Sequence, residues 1–65
     1  MKYTYYLFEF TNLRFLFRVY DDVKCDVRHL NHENTEWKVE SAKWGDADTN
    51  ASKLLTEEDV FALLL

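Results

Sequence analysis

The sequence has no proline, a single glycine (Gly45) and a single cysteine (Cys25) in 65 residues. One cysteine has no partner within the chain, so a disulfide-stapled secreted scaffold is excluded. One isolated glycine cannot build a phosphate-cradling loop, which needs several glycines for close backbone approach. With so little glycine and no proline, the turns fall to Asn, Asp and Thr, whose short side chains hydrogen-bond to nearby backbone. No run of about 20 apolar residues is present to span a membrane, and no small-residue cleavage site follows an apolar stretch near Lys2. These absences point to one soluble, cytoplasmic domain over residues 1–65 without membrane association.

A domain of this size buries only about 60% of the surface its unfolded chain exposes, so its core outweighs chain entropy by a few kcal/mol at most. The visible compensation is aromatic: 17% of residues are Phe, Trp or Tyr, and 48% are hydrophobic. Each ring removes more apolar area from water than an aliphatic side chain does. Self-association is the other common remedy for a thin core.

Charge of one sign is also scarce in most of the chain. Residues 1–43 carry seven acids and seven bases, whereas residues 44–65 carry Asp46, Asp48, Glu57, Glu58 and Asp59 against Lys53 alone, giving the net charge of -4. A nucleic-acid footprint requires an excess of Lys and Arg on one face, so direct DNA or RNA binding is not expected. Five carboxylates are few for a nucleic-acid mimic, which is retained only as an alternative.

Four segments alternate as strands do. They span about residues 2–10, 13–20, 24–30 and 35–42. With Thr11 and Asn12 as a two-residue loop, Phe8 opposes Phe15, Tyr6 opposes Phe17 and Glu9 opposes Arg14. With Asp21, Asp22 and Val23 as the next loop, Val19 opposes Cys25, Phe17 opposes Val27 and Arg18 opposes Asp26. A third loop centred on Asn31 to Glu33 sets Val27 against Trp37, Cys25 against Val39 and Asp26 against Lys38. These registers match apolar faces and pair opposite charges.

At the C-terminal end, Thr56 reads as an N-cap and Asp59 as its capping-box partner, with Leu55 and Val60 as a hydrophobic staple. A helix over about residues 57–65 follows, and its three acids complement the positive end of its dipole. The expected fold is α+β: a four-stranded antiparallel meander with one short C-terminal helix packed on one face. The helix is expected on the face of Tyr6, Phe8, Phe10, Phe15 and Phe17. Residues 46–52 form a polar connection whose pattern does not settle whether part of it is helical.

Candidate chemistry is sparse. Cys25, His29 and His32 are the only candidates for a zinc site or for Cys–His nucleophilic catalysis. Cys25 and His29 lie about 13 Å apart along a strand at ~3.3 Å per residue, too far to share one ion. The acids divide among turns, cross-strand pairs and the helix cap rather than converging, and so short a chain has little volume for a ligand cavity of ~300 Å³. No cofactor and no enzymatic activity are expected. Asn50-Ala51-Ser52 matches the glycosylation pattern, but a cytoplasmic chain does not meet that machinery.

The face opposite the expected helix carries Tyr3, Tyr5, Leu7, Leu16 and Tyr20, with Arg18 among them, beside a charged ladder on strands three and four. An apolar, tyrosine-rich patch with a polar rim has the composition of a protein interface. The expectation is a small acidic protein-binding module using Tyr3, Tyr5, Leu7, Leu16, Arg18 and Tyr20, with a second copy of itself among its partners. By analogy of size and composition, such chains also serve phages and mobile elements as inhibitors that bind and block a host protein. An accessory subunit of a larger assembly is the other alternative.

Overall fold

Alternating aromatic and polar residues on either side of Thr11 and Asn12 make the first hairpin. In the computed structural model, which describes residues 2–31 and 35–65, β1 (Thr4–Phe10) pairs antiparallel with β2 (Leu13–Tyr20) in the expected register, Phe8 opposite Phe15 and Leu7 opposite Leu16. Thr11 takes the left-handed position of the tight loop, with φ 55°. The next turn places Asp21 and Asp22 at φ 49° and 67°, a conformation that Asp tolerates better than most residues because its short side chain bonds locally. Left-handed turn positions that glycine would often fill are thus held by Thr and Asp. Beyond the second turn, β3 (Lys24–His29) pairs with β2, again as expected, with Arg18 opposite Asp26 and Val19 opposite Cys25.

The third pairing departs from expectation. The fourth strand, β4, is only Lys38–Val39 rather than residues 35–42, and Asp26 opposes Val39 while Val27 opposes Lys38. This register is displaced by one residue from the charge-matched one. Because side chains alternate between faces, a one-residue displacement turns over the whole strand, and Trp37 moves from the Phe17 side to the side of Leu7 and Leu16, where it packs against their cluster. The loop residues His32 and Glu33 lie outside the described residues.

The polar connection contains a short helix, α1 (Asp46–Ala51), and then a strand that the sequence pattern did not reveal, β5 (Lys53–Leu55). β5 pairs antiparallel with β1, Tyr5 opposite Leu55 and Tyr6 opposite Leu54. The sheet therefore has five strands rather than four, in the order β4-β3-β2-β1-β5. The final helix, α2 (Glu57–Leu64), begins as expected: the Asp59 N–H donates to Thr56 Oγ1 at 3.2 Å, and the Thr56 N–H donates to Asp59 Oδ2 at 3.0 Å.

The helix packs on the opposite face from the one expected. Leu55 and Val60 close over Leu7 and Leu16, with Tyr5, Leu30, Trp37 and Leu63 around them. Leu16 is fully buried, and Leu7, Leu55 and Val60 are each at most 8% exposed. A second, smaller cluster lies on the other face, where Trp44 covers Val19 and Cys25 and is flanked by Tyr6 and Phe17. Trp44 is held there by its N–H donating to the Val23 carbonyl at 2.7 Å and its indole Nε1–H donating to Thr49 Oγ1 of α1 at 2.9 Å.

Two outcomes follow. Leu16→Ala should cost about 2–5 kcal/mol by creating a cavity at the tightest point of the core, comparable with the whole stability of so small a domain. Phe10→Ala, at a ring that is 65% exposed, should shift the urea midpoint only slightly; comparable losses for both would contradict this assignment of faces. The Thr56 backbone N–H and side chain hydrogen-bond to Asp59, holding its carboxyl below the ordinary 3.8. Its stabilisation is therefore complete above the unfolded-state value and is lost as pH falls through the folded-state value. Asp59→Asn should flatten the acid limb of the stability-against-pH curve, measured by thermal melts below about pH 5.

Candidate functional site

The two faces of the sheet are chemically unlike. On the helix side, the six residues expected to form an interface do share one surface, because Tyr5, Leu7, Leu16, Arg18 and Tyr20 keep the expected alternation. They fall into two groups. Leu7 and Leu16 lie beneath α2 and are closed off within the chain. Tyr3, Tyr5, Arg18 and Tyr20 lie together and are half-buried.

Arg18 organises that second group. Its Nε donates to Asp26 Oδ2 at 2.7 Å, and its guanidinium carbon sits 4.7 Å from the Tyr3 ring centroid and 4.3 Å from that of Trp37. Tyr3 also meets Tyr5 at 6.1 Å and Tyr20 edge-on at 5.7 Å. Asp26 is 6% exposed and accepts a second, longer hydrogen bond from the Tyr20 hydroxyl at 3.4 Å. Desolvation first, and the Asp26 carboxylate second, push the Tyr20 phenol above its ordinary value. A guanidinium between aromatic faces gains cation–π attraction while its carboxylate partner balances the charge. These interactions satisfy Arg18 internally, so the group reads as the closed polar half of the core.

On the other side, Phe8, Phe10, Leu13, Phe15, Val27 and Leu54 share one surface through the pairs Phe8–Phe15, Phe10–Leu13, Phe17–Val27 and Tyr6–Leu54. Trp44 stacks on Tyr6 at 5.0 Å and 27° and contacts Phe17 at 5.0 Å, which covers the end of this face near the second turn. Among the described residues, nothing of that kind covers the end near Thr11: Phe10 is 65%, Leu13 45% and Leu54 64% exposed. Phe15 sits at the centre, 6.2 Å from Phe8 and 4.5 Å edge-on from His29. Lys38, opposite Val27, stands at the rim, and no carboxylate is among these paired residues.

This open half is the surface that sequence reasoning missed. Its signal in the sequence is the accumulation of phenylalanine toward the first turn, a pattern that points to core because a row of rings on one sheet face needs cover.

Two clefts are lined by described residues. One of about 420 Å³ lies between the Trp44 segment and the second turn, lined by Tyr6, Tyr20, Asp21, Asp22, Trp44 and Asp46. The other, about 300 Å³, lies between Tyr5, Trp37 and the residues Glu57, Val60, Phe61 and Leu64 of α2. The first is larger than the ~300 Å³ at which small-ligand sites begin, and the second only reaches it. Burial first, and nearby Glu40 second, push the Cys25 thiol above its ordinary value, which lowers its nucleophilicity. Among the described residues, no group of three His, Cys, Asp or Glu side chains is placed to hold a metal ion, and no helix is long and apolar enough to cross a membrane.

Asp26→Ala should leave the Arg18 guanidinium without its partner and cost about 2–3 kcal/mol, discounted from a fully buried pair because the Arg18 side chain keeps some exposure. Pairing Arg18→Met with Asp26→Leu should recover part of that loss, and the coupling energy from urea denaturation of the double-mutant cycle is the decisive quantity. A coupling of zero would mean that the pair does not act as a unit. Comparison with protein-family models, with curated proteins and with solved structures finds no match to this chain, so the functional reading rests on its own residues and geometry.

Proposed function

We propose that this protein is a small protein-binding module, and that its working surface is the open half of the phenylalanine face. The observation that carries the reading is the uncovered cluster of Phe10, Leu13 and Leu54 around the half-buried rings of Phe8 and Phe15. Strands are ~4.8 Å apart and rise ~3.3 Å per residue, so the patch measures about 350 Å² in projection. That is the size of the largest apolar patch on a typical monomer, and such patches are often functional. Aromatic anchors with an uncharged centre and a polar rim also match the anatomy of interface cores. An inhibitor of a host protein and an accessory subunit of an assembly are both roles that such a module can fill.

The test is capture of protein by the tagged full chain from a lysate of cells that also produce the untagged chain. One dominant protein should be retained in near-stoichiometric amount. Phe10→Glu combined with Leu13→Lys should abolish retention, because the two residues are cross-strand partners and the new charges pair within the hairpin while spoiling the apolar surface. Retention of nothing by the wild-type chain, or equal retention by the variant, would overturn the proposal.

A further inference from the structure

We propose that the cleft of about 420 Å³ between the Trp44 segment and the second turn is a binding site for a guanidinium cation. The proposal stands apart from the phenylalanine surface, because the cleft lies at the opposite end of the sheet from Phe10 and Leu13. Three observations select the ligand class.

The first is the floor of the cleft. Its volume falls within the range of small-molecule sites, which begins at about 300 Å³. Tyr6, Val19 and Trp44 supply the apolar lining, and Trp44 stacks on Tyr6 at 5.0 Å and 27°. Trp44 is fixed twice, by its N–H donating to the Val23 carbonyl at 2.7 Å and its indole Nε1–H donating to Thr49 Oγ1 at 2.9 Å. Because Trp44 is only 8% exposed, the half-buried Tyr6 offers the larger reachable ring. A floor held in place before the ligand arrives costs little ordering on binding.

The second is charge. Asp21 and Asp22 join the lining from the second turn and Asp46 from α1, so carboxylates flank the floor on two sides. Asp21 makes only a loose ion pair, with Lys24 at 3.8 Å. Asp22 and Asp46 make no side-chain hydrogen bond or ion pair among the described residues. Lys2 is the one base among the described lining residues, and it pairs with none of the three acids. The cleft is therefore negative, which draws a cation and repels an anion.

The third is a precedent within the chain. The Arg18 guanidinium lies 4.7 Å from the Tyr3 ring centroid and 4.3 Å from that of Trp37, with its Nε donating to Asp26 Oδ2 at 2.7 Å. The cleft brings together the same kinds of group, adjoining rings and carboxylates, and its Asp22 and Asp46 lack the cation that Asp26 has. A guanidinium fits better than an ammonium. It is planar, packs on rings, and presents five donors in a fixed fork that reaches carboxylates on both sides, whereas an ammonium is a compact, strongly hydrated point charge. An arginine side chain of a partner and a free arginine-like small molecule share this chemistry.

The experiment follows the indole N–H resonance of Trp44 by nuclear magnetic resonance while the full chain is titrated with Nα-acetyl-arginine amide. The resonance should shift saturably, with half-saturation in the millimolar range that suits so small a ligand. The citrulline counterpart, which keeps the shape and loses the charge, should produce no saturable shift. The lysine counterpart should bind about threefold more weakly or worse. Asp22→Asn and, separately, Asp46→Asn should each weaken binding about fivefold or more. Asn accepts the left-handed backbone of position 22, where φ is 67°, so that variant keeps the turn, and circular dichroism confirms its fold. If Asp46→Asn does not fold, Asp22→Asn alone decides. Glu58→Gln removes the same charge from the first turn of α2, over the other face of the sheet, and should bind as the wild type does. Agmatine and acetyl-Gly-Arg-Gly amide then separate the sources: tighter binding of the tripeptide assigns the cation to a partner's side chain, tighter binding of agmatine to a free small molecule, and either bears the proposal out. No saturable shift with the arginine amide, an equal shift with citrulline, or equal affinity for the lysine counterpart overturns it. So does an Asp22→Asn variant that binds as the wild type does, or a Glu58→Gln variant that loses as much affinity as Asp22→Asn.

Discussion

The pairing of Leu55 with Tyr5 decides which side of the sheet α2 can reach. β5 is three residues long, and α2 starts two residues after its last member, so there is no slack for the chain to cross the sheet edge. Side chains alternate along a strand, and the register that sets Leu55 beside Tyr5 puts it on the face of Leu7 and Leu16. The hydrophobic staple between Leu55 and Val60 then holds the first turn of the helix over Leu16. A helix of eight residues is about 12 Å long, enough to cover one side of the sheet and no more. The opposite face is left to the connection from β4 to α1, which supplies Trp44 and covers only half of it. The open row of phenylalanines is thus a geometric consequence of a short edge strand.

The same face shows how a polar group can sit within a small core. Arg18 and Asp26 lie on neighbouring strands, with Tyr3, Tyr20 and Trp37 around them. A buried ion pair adds little over a well-packed apolar pair, yet separating its members is costly. In this sheet the pair favours the β2–β3 register that brings its members together and penalises slipped ones. The displaced register of β4 follows from packing: Trp37 gains a place against Tyr5 and Arg18 on the helix side, while the alternative pairing of Asp26 with Lys38 would have gained only a weak, partly exposed ion pair. Apolar burial outweighs it.

In functional terms, the protein divides its surface by chemistry. Acids gather at the first turns of its two helices, where the helix dipoles favour them, and the uncovered half of the sheet is left to aromatic and aliphatic side chains. Such a separation is compatible with the proposed protein-binding role, in which the apolar face would meet a partner while the net charge stays clear of it. It also places the proposed surface on a regular hairpin, where backbone hydrogen bonds fix the spacing of Phe8, Phe10, Leu13 and Phe15.

By itself, the sequence determined what depends on neighbours along the chain. The first two hairpins were legible because strict alternation and short loops leave one register that matches both faces, and the start of α2 was legible because Thr56, Asp59, Leu55 and Val60 form a local capping code. The third register was not, because Trp37 could satisfy alternation on either face and the choice depended on contacts with Tyr5 and Arg18 from distant strands. β5 was invisible for a related reason: three residues show no period, and Lys53–Leu55 becomes a strand only through hydrogen bonds to β1. Leu7 and Leu16, expected on the outer face, lie under the helix as a result, since both faces of the sheet read as apolar and only the tertiary course of the chain decides which one receives the helix. Local stereochemistry wrote the hairpins and the cap; long-range pairing, which no window of sequence contains, assigned the inside and the outside.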